Sequence, residues 1–306
     1  MNKFLGFTKR NLLIFFKNKQ SVLFSMLTSI IVFALYLLFI KGTYTDALHS
    51  AIREFPGLES LITDNDINSF ANLVMLVGVL GSAMITVPFY CLSTVVNDRE
   101  RKVDYDIAAT PLKRWQIVLS YYTASALSSI IMTGIILTAG LLILKAMDGL
   151  YITPLGVAAA YGIVALGSVS GTAVFMMVVL MFKTSSALGA FFGILSAGAG
   201  FVIGAYIPVS QFSEGIQTFC SLFPGSHVTT LIRNVLLNDI LDRMDSRIGG
   251  LDDGKFVEAL KGAFSFKQFM FGHDLEMNAM LIYVVCGIVV CTLFMVFIYN
   301  KTYKRK

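Results

Sequence analysis

The chain has 306 residues with a mean hydropathy of +0.74, and 56% of its residues are hydrophobic whereas only 14% are charged. A soluble protein of this size keeps roughly a quarter of its residues charged, so these charges are too few to cover a water-facing surface. The composition therefore excludes a soluble globular protein. With a net charge of only +5, we also expect no nucleic-acid partner.

Residues 1–21 carry an amphipathic pattern ahead of the first long apolar stretch. One helical face carries Phe4, Leu5, Thr8, Leu12, Phe15 and Phe16. Most of the remaining surface carries the basic residues Lys3, Lys9, Arg10 and Lys17. This pattern is typical of a helix that lies in a membrane interface, although a plain basic flank of the first span has the same composition.

Six apolar stretches are each long enough to cross a bilayer, for which a helix needs about 20 residues. None of the six contains Lys, Arg, Asp, Glu or His. They are Val22–Ile40, Phe70–Val96, Ile117–Leu144, Pro154–Phe182, Ser186–Ile207 and Ala279–Tyr299. The sequence thus predicts an all-α membrane protein with six transmembrane helices, in one transmembrane domain over residues 1–306.

Lys and Arg are concentrated in the segments that would share one side of the membrane. These segments hold 15 of the 24 basic residues and only 4 of the 19 acidic residues, and they are 1–21, 97–116, 183–185 and 300–306. Loops rich in Lys and Arg stay in the cytoplasm. We therefore predict a multi-pass protein of the inner (cytoplasmic) membrane with both termini in the cytoplasm, including the basic tail Lys301, Lys304, Arg305 and Lys306.

The segment 97–116, between the second and third spans, combines charges of both signs with a helix break. Its first part, Asn97-Asp98-Arg99-Glu100-Arg101-Lys102, is more mixed than a membrane flank requires, because anchoring needs only Lys and Arg. A helix-compatible stretch, Asp104–Thr110, then leads to Pro111. Proline disfavours helix at the preceding residue but suits the first turn of a helix. We predict a helix–break–helix elbow, with a plain basic loop as the alternative.

Small residues recur at four-residue spacing inside the later spans. The pairs are Gly167 and Gly171, Gly189 and Gly193, and Gly200 and Gly204. Such spacing lets two helices approach closely. The pattern fits an interface between subunits and fits packing within one chain equally well.

Residues 208–278 lie between the fifth and sixth spans, on the predicted outer side. One helical face after the proline carries Phe212, Ile216, Phe219, Leu222 and Phe223. Because this stretch of about 12 residues is too short to span, we predict a re-entrant or interfacial hairpin in the outer leaflet, ending at Pro224-Gly225, and an outer loop over Ser246–Lys267. A seventh crossing over Val209–Ile240 is disfavoured, since charges are costly in the membrane and it would bury Glu214, Arg233 and Asp239.

Few groups in the sequence could carry chemistry. Ion-coupled carriers and charged channel filters place ionisable groups at depth, and the predicted spans have none. The stretch Gly249–Lys255 matches G-x-x-x-x-G-K, but Phe256 follows where a phosphate-binding loop needs Ser or Thr. His273 and Glu276 offer only two metal ligands, at a predicted helix start, and the four cysteines have no C-x-x-C spacing. We predict no catalytic, cofactor or metal site and no enzymatic activity in this chain.

Two sets of motifs resemble the permeases of type-2 ATP-binding-cassette (ABC) exporters. The first is Asp98-Arg99-Glu100-Arg101 followed by Ala109-Thr110-Pro111-Leu112-Lys113-Arg114-Trp115-Gln116, which is similar to the coupling-helix loop of that family. The second is Tyr206-Ile207-Pro208, then Leu222-Phe223-Pro224-Gly225-Ser226-His227, then Leu231-Ile232-Arg233-Asn234. The order of the segments, from the amphipathic start to the basic tail, extends the resemblance over nearly the whole chain.

The resemblance implies that two permeases, identical or homologous, form the pathway and that two cytoplasmic ABC ATPase subunits bind beneath them. ATP and Mg²⁺ would then be bound by the ATPases and not by this chain. Closure of the ATPases would push on the elbow, with Asp104–Thr110 as the docking helix and Pro111 setting the bend. The residues implied in ATPase coupling are Arg99, Glu100, Arg101, Asp104, Tyr105, Asp106, Thr110, Pro111 and Arg114.

Uncharged spans rich in Phe and Met favour an amphiphilic or hydrophobic cargo, such as an antibiotic or other drug, a lipid-like molecule or a hydrophobic peptide. Phe191, Phe192 and Phe201 could line its path or could equally face membrane lipid. A membrane scaffold or sensor that transports nothing is an alternative, since it needs no chemistry. A secondary carrier is a further alternative, but its usual ionisable groups or inverted repeats are not visible in the sequence.

Overall fold

The computed structural model of the chain describes residues 3–55, 57–147 and 150–302. Most of these residues are helical, in α1 (Lys3–Lys17), α2 (Lys19–Leu35), α3 (Lys41–Arg53), α4 (Asp64–Cys91), α5 (Ser93–Glu100), α6 (Val103–Ala109), α7 (Arg114–Ala146), α8 (Pro154–Val179), α9 (Ser185–Val202), α10 (Glu214–Ser221), α11 (Pro224–Ile248), α12 (Lys255–Ala263) and α13 (Met277–Thr302). A π-helix, Tyr36–Ile40, joins α2 to α3. Lys304, Arg305 and Lys306 of the predicted basic tail lie outside the described residues.

In the described part of the chain, six helical stretches are long and apolar enough to cross a membrane, which confirms the six predicted spans. They are Lys19–Arg53, Asp64–Glu100, Arg114–Ala146, Pro154–Val179, Ser185–Val202 and Met277–Lys301. The 37 residues of the second span cover about 55 Å at 1.5 Å per residue, whereas the hydrocarbon is about 30 Å thick. The first two helical stretches, of 35 and 37 residues, are therefore longer than the hydrocarbon is thick. Their extra length consists of more polar helical turns that lie outside the predicted bounds 22–40 and 70–96.

The second span forms the centre of the bundle. The most apolar stretch of its helix is buried along its whole length, and α2, α7, α8, α9 and α11 pack around it. Glycines allow two of these helices to come close: a Cβ added at Gly171 of α8 would overlap the carbonyl oxygen of Met84. Likewise, a Cβ at Gly81 would lie 2.7 Å from Oγ1 of Thr229 in α11.

The outer helices of the bundle expose apolar faces instead. Only 11% of the apolar stretch of α13 and 17% of that of α9 is buried within the chain, against 28% for the first span. On α13, for example, Val290 and Leu293 are each more than 60% exposed. A face of this kind can be covered by lipid tails or by another protein chain, so these helices form the periphery of the molecule.

Far from the elbow, a buried ion-pair network joins the start of α4 to the end of α11. Asp66 is fully buried and accepts hydrogen bonds from Arg243 Nε at 3.1 Å and from Nη1 of Arg247. Thr63 caps α4 and completes a capping box with the same carboxylate. The ring of Tyr151 lies 3.8 Å below the Arg243 guanidinium. We call Asp66, Arg243 and Arg247 the clasp, and the corresponding end of the bundle the clasp end.

The segment after α9 returns into the bundle before it reaches the clasp. Gly204 has a left-handed backbone (φ +69°), where the chain turns away from α9. Gly225, near the start of α11, lies beside Ile85, which is well inside α4, and Arg247 near the end of α11 belongs to the clasp. α11 thus begins partway along the second span and runs towards the clasp end. How deeply this predicted re-entrant hairpin enters a bilayer stays a prediction.

Two sequence predictions for the segment 208–278 are wrong. The predicted loop Ser246–Lys267 contains the end of α11 and the whole of α12, because the apolar residues Phe256, Val257 and Leu260 fall on one helical face and are buried in the core. The predicted helix start at His273 is a strand. It belongs to a small antiparallel hairpin in which β1 (Gln268–Met270) pairs with β2 (His273–Leu275), and the last helix begins only at Met277.

Candidate functional site

The elbow, defined as residues 97–116, closes the end of the bundle opposite to the clasp. α5 continues α4 after a break at Leu92, and Lys102 reverses the chain with a left-handed backbone (φ 62°). α6 follows, and Thr110 is extended ahead of Pro111 (ψ 156°), as expected for a residue before proline. Lys113 and Gln116 then form the capping interaction at which α7 begins.

Asp98 joins three helices at the base of the second span. Its carboxylate accepts hydrogen bonds from both terminal nitrogens of Arg10 in α1, with Nη2 at 2.9 Å, and from the Tyr121 hydroxyl in α7 at 2.5 Å. The hydrogen bond to Asp98 raises the pKa of Arg10 above its usual value. Thr8 and Ser120 add a hydroxyl pair at 2.9 Å between the same two helices. The amphipathic N-terminal helix is therefore fixed to the elbow end by charge as well as by packing.

The next two residues hold the turn between α8 and α9. Arg99 Nη1 donates to the carbonyl of Leu180 at 3.0 Å and to that of Phe182, at the end of α8. Glu100 accepts from the backbone N–H of Ser185 at 3.1 Å and from its hydroxyl, at the start of α9. Asn97 Oδ1 lies 2.7 Å from the same hydroxyl. A displacement of α5 would therefore be passed directly to the ends of two spans.

The predicted coupling residues thus separate into two groups. Arg99 and Glu100 are anchors that bind neighbouring helices, and Arg114 adds a hydrogen bond of 3.1 Å to the carbonyl of Asn300, near the end of α13. Glu100 is exposed although it is also an anchor, and the other predicted residues with exposed side chains are Arg101, Tyr105, Asp106 and Pro111. Asp104 and Thr110 are partly buried between the two groups. Ile107 holds α6 against the core, so that its other face, which includes the 72% exposed Tyr105, points away from the bundle.

Sequence reasoning missed Arg10 and Tyr121 as parts of this site. Arg10 was expected only as a basic residue of an interfacial helix, and Tyr121 lay inside a predicted span. Both lie far from Asp98 in the sequence, at separations of 88 and 23 residues. The available signal was Asp98 itself, an acidic residue directly below an apolar span, where positive residues are expected.

The comparison with known families agrees with this arrangement. A family model described as ABC-2 family transporter protein matches residues 45–299, from α3 to α13, including the whole elbow. The chain belongs to this family. The resemblance found in the sequence is thereby confirmed, and the protein is an ABC-2 permease, a multi-pass transport subunit. No curated protein and no solved structure matches the chain.

The three phenylalanines predicted along a transport path do not form one group in this ABC-2 permease. Phe191 and Phe192 pack on Phe89 of α4, with ring centroids 5.6 and 5.7 Å apart. Phe201 lies further along α9, is 48% exposed and contacts Tyr206 at 5.1 Å. The first two therefore help to hold α9 against the central helix. A role for any of the three in a pathway stays a prediction.

Proposed function

We propose that this ABC-2 permease is the membrane subunit of an ATP-driven exporter, and that its ATPase is a separate cytoplasmic ABC subunit that binds ATP and Mg²⁺. The observation that carries the proposal is the division of the elbow into exposed residues on α6 and anchors on α5. A plain basic loop would need neither group. A short helix with a free face and a rigid connection to several spans suits the transfer of motion from a partner.

In this proposal Tyr105 and Asp106 on the exposed side of α6 bind the ATPase, together with Arg101 in the turn before α6. Movement of the ATPase then displaces α5, and the contacts of Arg99 and Glu100 carry the displacement to the turn between α8 and α9. The elbow end accordingly lies in the cytoplasm, together with both termini of this inner-membrane protein. The excess of Lys and Arg in the segments at this end supports that orientation.

A second permease, identical or homologous, completes the proposed pathway. The outward face of α9 supports it, because Gly189 and Gly193 are exposed and a Cβ at either position would meet no atom of the chain within 4 Å. Exposed small residues at this spacing allow a helix of another chain to approach closely. We expect the cargo to be amphiphilic or hydrophobic, such as an antibiotic or other drug, a lipid-like molecule or a hydrophobic peptide.

The test is purification of the tagged permease in mild detergent, followed by identification of bound P-loop ATPases and an ATPase assay. We expect an ATPase to co-purify with the wild type. Reversal of exposed charges in R101E/D106K should weaken its binding by about tenfold or more, the effect of a single interface hot spot. The matched control is K183E, which reverses an exposed charge at the same end but outside the elbow.

A variant of one anchor tests the coupling role separately from ATPase binding. Glu100→Gln keeps the exposed face of α6 intact but weakens the contact with Ser185, so ATPase binding should persist while stimulation by cargo falls. If the permease purifies alone and no nucleotide-dependent partner binds it, the coupling role of the elbow is refuted. The result then favours a membrane scaffold, a sensor or a secondary carrier. If R101E/D106K and K183E behave alike, α6 is not the docking surface.

A further inference from the structure

A cavity of about 320 Å³ lies near the clasp end, away from the elbow. Its walls come from three separate elements: α3, the turn that follows α9, and α12. Counted from Lys19, about 20 helical residues cross the hydrocarbon, so Thr43 and Ala47 in the cavity wall lie just beyond it. Both residues are exposed, as are Gln211 and Ala263 on the other walls, and the cavity is therefore open to the outside of the bundle.

The lining is mostly apolar, with a few hydrogen-bonding groups. Leu48, Pro208 and Leu260 form buried parts of the wall, whereas the polar groups include the phenols of Tyr44 and Tyr206. Small-molecule sites are typically concave and apolar with a small number of placed polar groups, and their volumes begin at roughly 300 Å³. The cavity meets this description at the lower end of the size range.

A buried positive charge contacts the backbone next to the cavity lining. Arg233 is 3% exposed, and its guanidinium donates to the carbonyl of Ser265 at 2.8 Å and to that of Gly204 at 3.4 Å. Its Nε has no hydrogen-bond partner, and no described carboxylate forms an ion pair with it. Burial lowers the pKa of Arg233 to about 10, so the group remains charged at neutral pH.

The hydrogen-bond partners of Arg233 place this charge beside the cavity. Ser265 directly follows the lining residue Phe264, and Gly204 lies two residues before the lining residue Tyr206. Tyr44 also lines the cavity, and its ring is held from behind, since Phe264 packs on it edge-to-face at 5.6 Å and in turn packs on Phe70 at 5.0 Å. A buried guanidinium satisfied only by carbonyls favours a nearby anion, and the cavity is where an anion could approach it.

We propose that this cavity binds a small amphiphile with an apolar body and an acidic headgroup, with Tyr44 facing the headgroup and Arg233 supplying the countercharge. An acidic phospholipid and a free acidic amphiphile share this chemistry. The site does not depend on the ATPase partner, because all of its residues belong to this chain and lie at the opposite end from the elbow.

The test uses two fluorescent probes that differ by one charge. 8-Anilinonaphthalene-1-sulfonate is acidic, and N-phenyl-1-naphthylamine has the same ring system without the sulfonate. The full-length permease is titrated with each probe in nanodiscs of zwitterionic lipid. We expect Ala47→Phe, which fills the cavity, to abolish the saturable binding of both probes. Ser50→Phe is the matched control, since Ser50 is exposed on the same helix but does not line the cavity.

The charge is tested separately with Arg233→Gln and Arg233→Lys. The first should weaken binding of the sulfonate by about tenfold, through the lost charge, with little effect on the neutral probe, while the second should retain most of the preference. Thermal unfolding of each variant checks that it is folded. If Arg233→Gln does not fold, the effect of charge is taken from the preference of the neutral and acidic probes for the wild type, and the site is tested by comparing Ala47→Phe with Ser50→Phe.

Competition identifies the source of the ligand. Displacement of the sulfonate probe by phosphatidylglycerol in the nanodisc indicates a lipid occupant, and displacement by dodecanoate alone indicates a free amphiphile. The proposal is overturned if neither competes, or if Ala47→Phe and Ser50→Phe bind the sulfonate probe equally well.

Discussion

The two ends of the bundle use charged side chains differently. At the clasp end, Asp66 is fully buried and its two arginine partners are about one third exposed. At the elbow end, the Asp98 side chain is 9% exposed and accepts hydrogen bonds from one arginine and one tyrosine. The neighbouring Arg99 and Glu100 bind backbone groups at helix ends. The clasp fastens two helices that run side by side, whereas the elbow connects the termini of several helices. The clasp therefore holds two helices together along their sides, whereas under the proposed function the contacts of the elbow pass movement on to several spans.

The largest expected effect is at the clasp. Asp66→Ala should lower the free energy of unfolding by about 3 kcal/mol, at the lower end of the range for breaking a buried pair, because the partly exposed Arg243 and Arg247 regain some water. Denaturant titration in detergent micelles measures the change. The neighbouring Asp64 is the control: its side chain is 87% exposed, and Asp64→Ala should stay within about 0.5 kcal/mol of the wild type.

A smaller loss is expected from the corresponding carboxylate of the elbow. Asp98→Ala should cost about 2 kcal/mol, in the range for hydrogen bonds to charged groups, because Asp98 pairs with one arginine whereas Asp66 pairs with two. Tyr121→Phe removes one of these bonds and should cost about 1 kcal/mol by the same titration. A loss for Asp98→Ala that exceeds the loss for Asp66→Ala would reverse the comparison of the two ends.

The smallest effects are expected from the helix caps at the two ends. Thr63 caps α4 and also bonds to Asp66 and Arg247, at 2.7 and 3.1 Å, so Thr63→Ala should cost about 1 kcal/mol, the typical value for a lost cap. Thr184 caps α9 through one bond of 3.3 Å, and Thr184→Ala should cost only about 0.5 kcal/mol. In a double mutant with Asp66→Ala, the Thr63 effect should shrink, since both belong to one network. Full additivity would show that the clasp is not cooperative.

The parts of the fold that could be predicted from the sequence are those determined by residues close to one another along the chain. Long uncharged stretches fix the six spans, and the Thr110-Pro111 pair fixes the position of the helix break. α12 was predicted to be part of a loop, because the glycines and charges of Gly249–Lys255 are typical of loops and the apolar helical face begins only after them. The β1–β2 hairpin has strands of three residues, too short for an alternating pattern to be visible.

The partners within the candidate site could not be predicted, because they are distant along the chain. Arg99 and Leu180 are 81 residues apart, and Glu100 and Ser185 are 85 residues apart. The mixed charge of the elbow indicated that it does more than flank a membrane, but which charges face inward depends on how five helices pack. The exposed residues of α6 can be identified only when it is known that Ile107 packs into the core, because this contact determines which face of the helix points outward.

The complete burial of the most apolar stretch of the second span sets a limit on how this permease can change shape. A helix enclosed on all sides by its neighbours cannot tilt or rotate without repacking each of them, and Gly171 fixes α8 against it at backbone contact. The peripheral helices α9 and α13 have far fewer contacts to give up. We therefore expect α4 to stay in place while α5 and the peripheral helices move, so that spin-label or fluorescence distances measured from α4 to α9 and α13 would record the transport cycle.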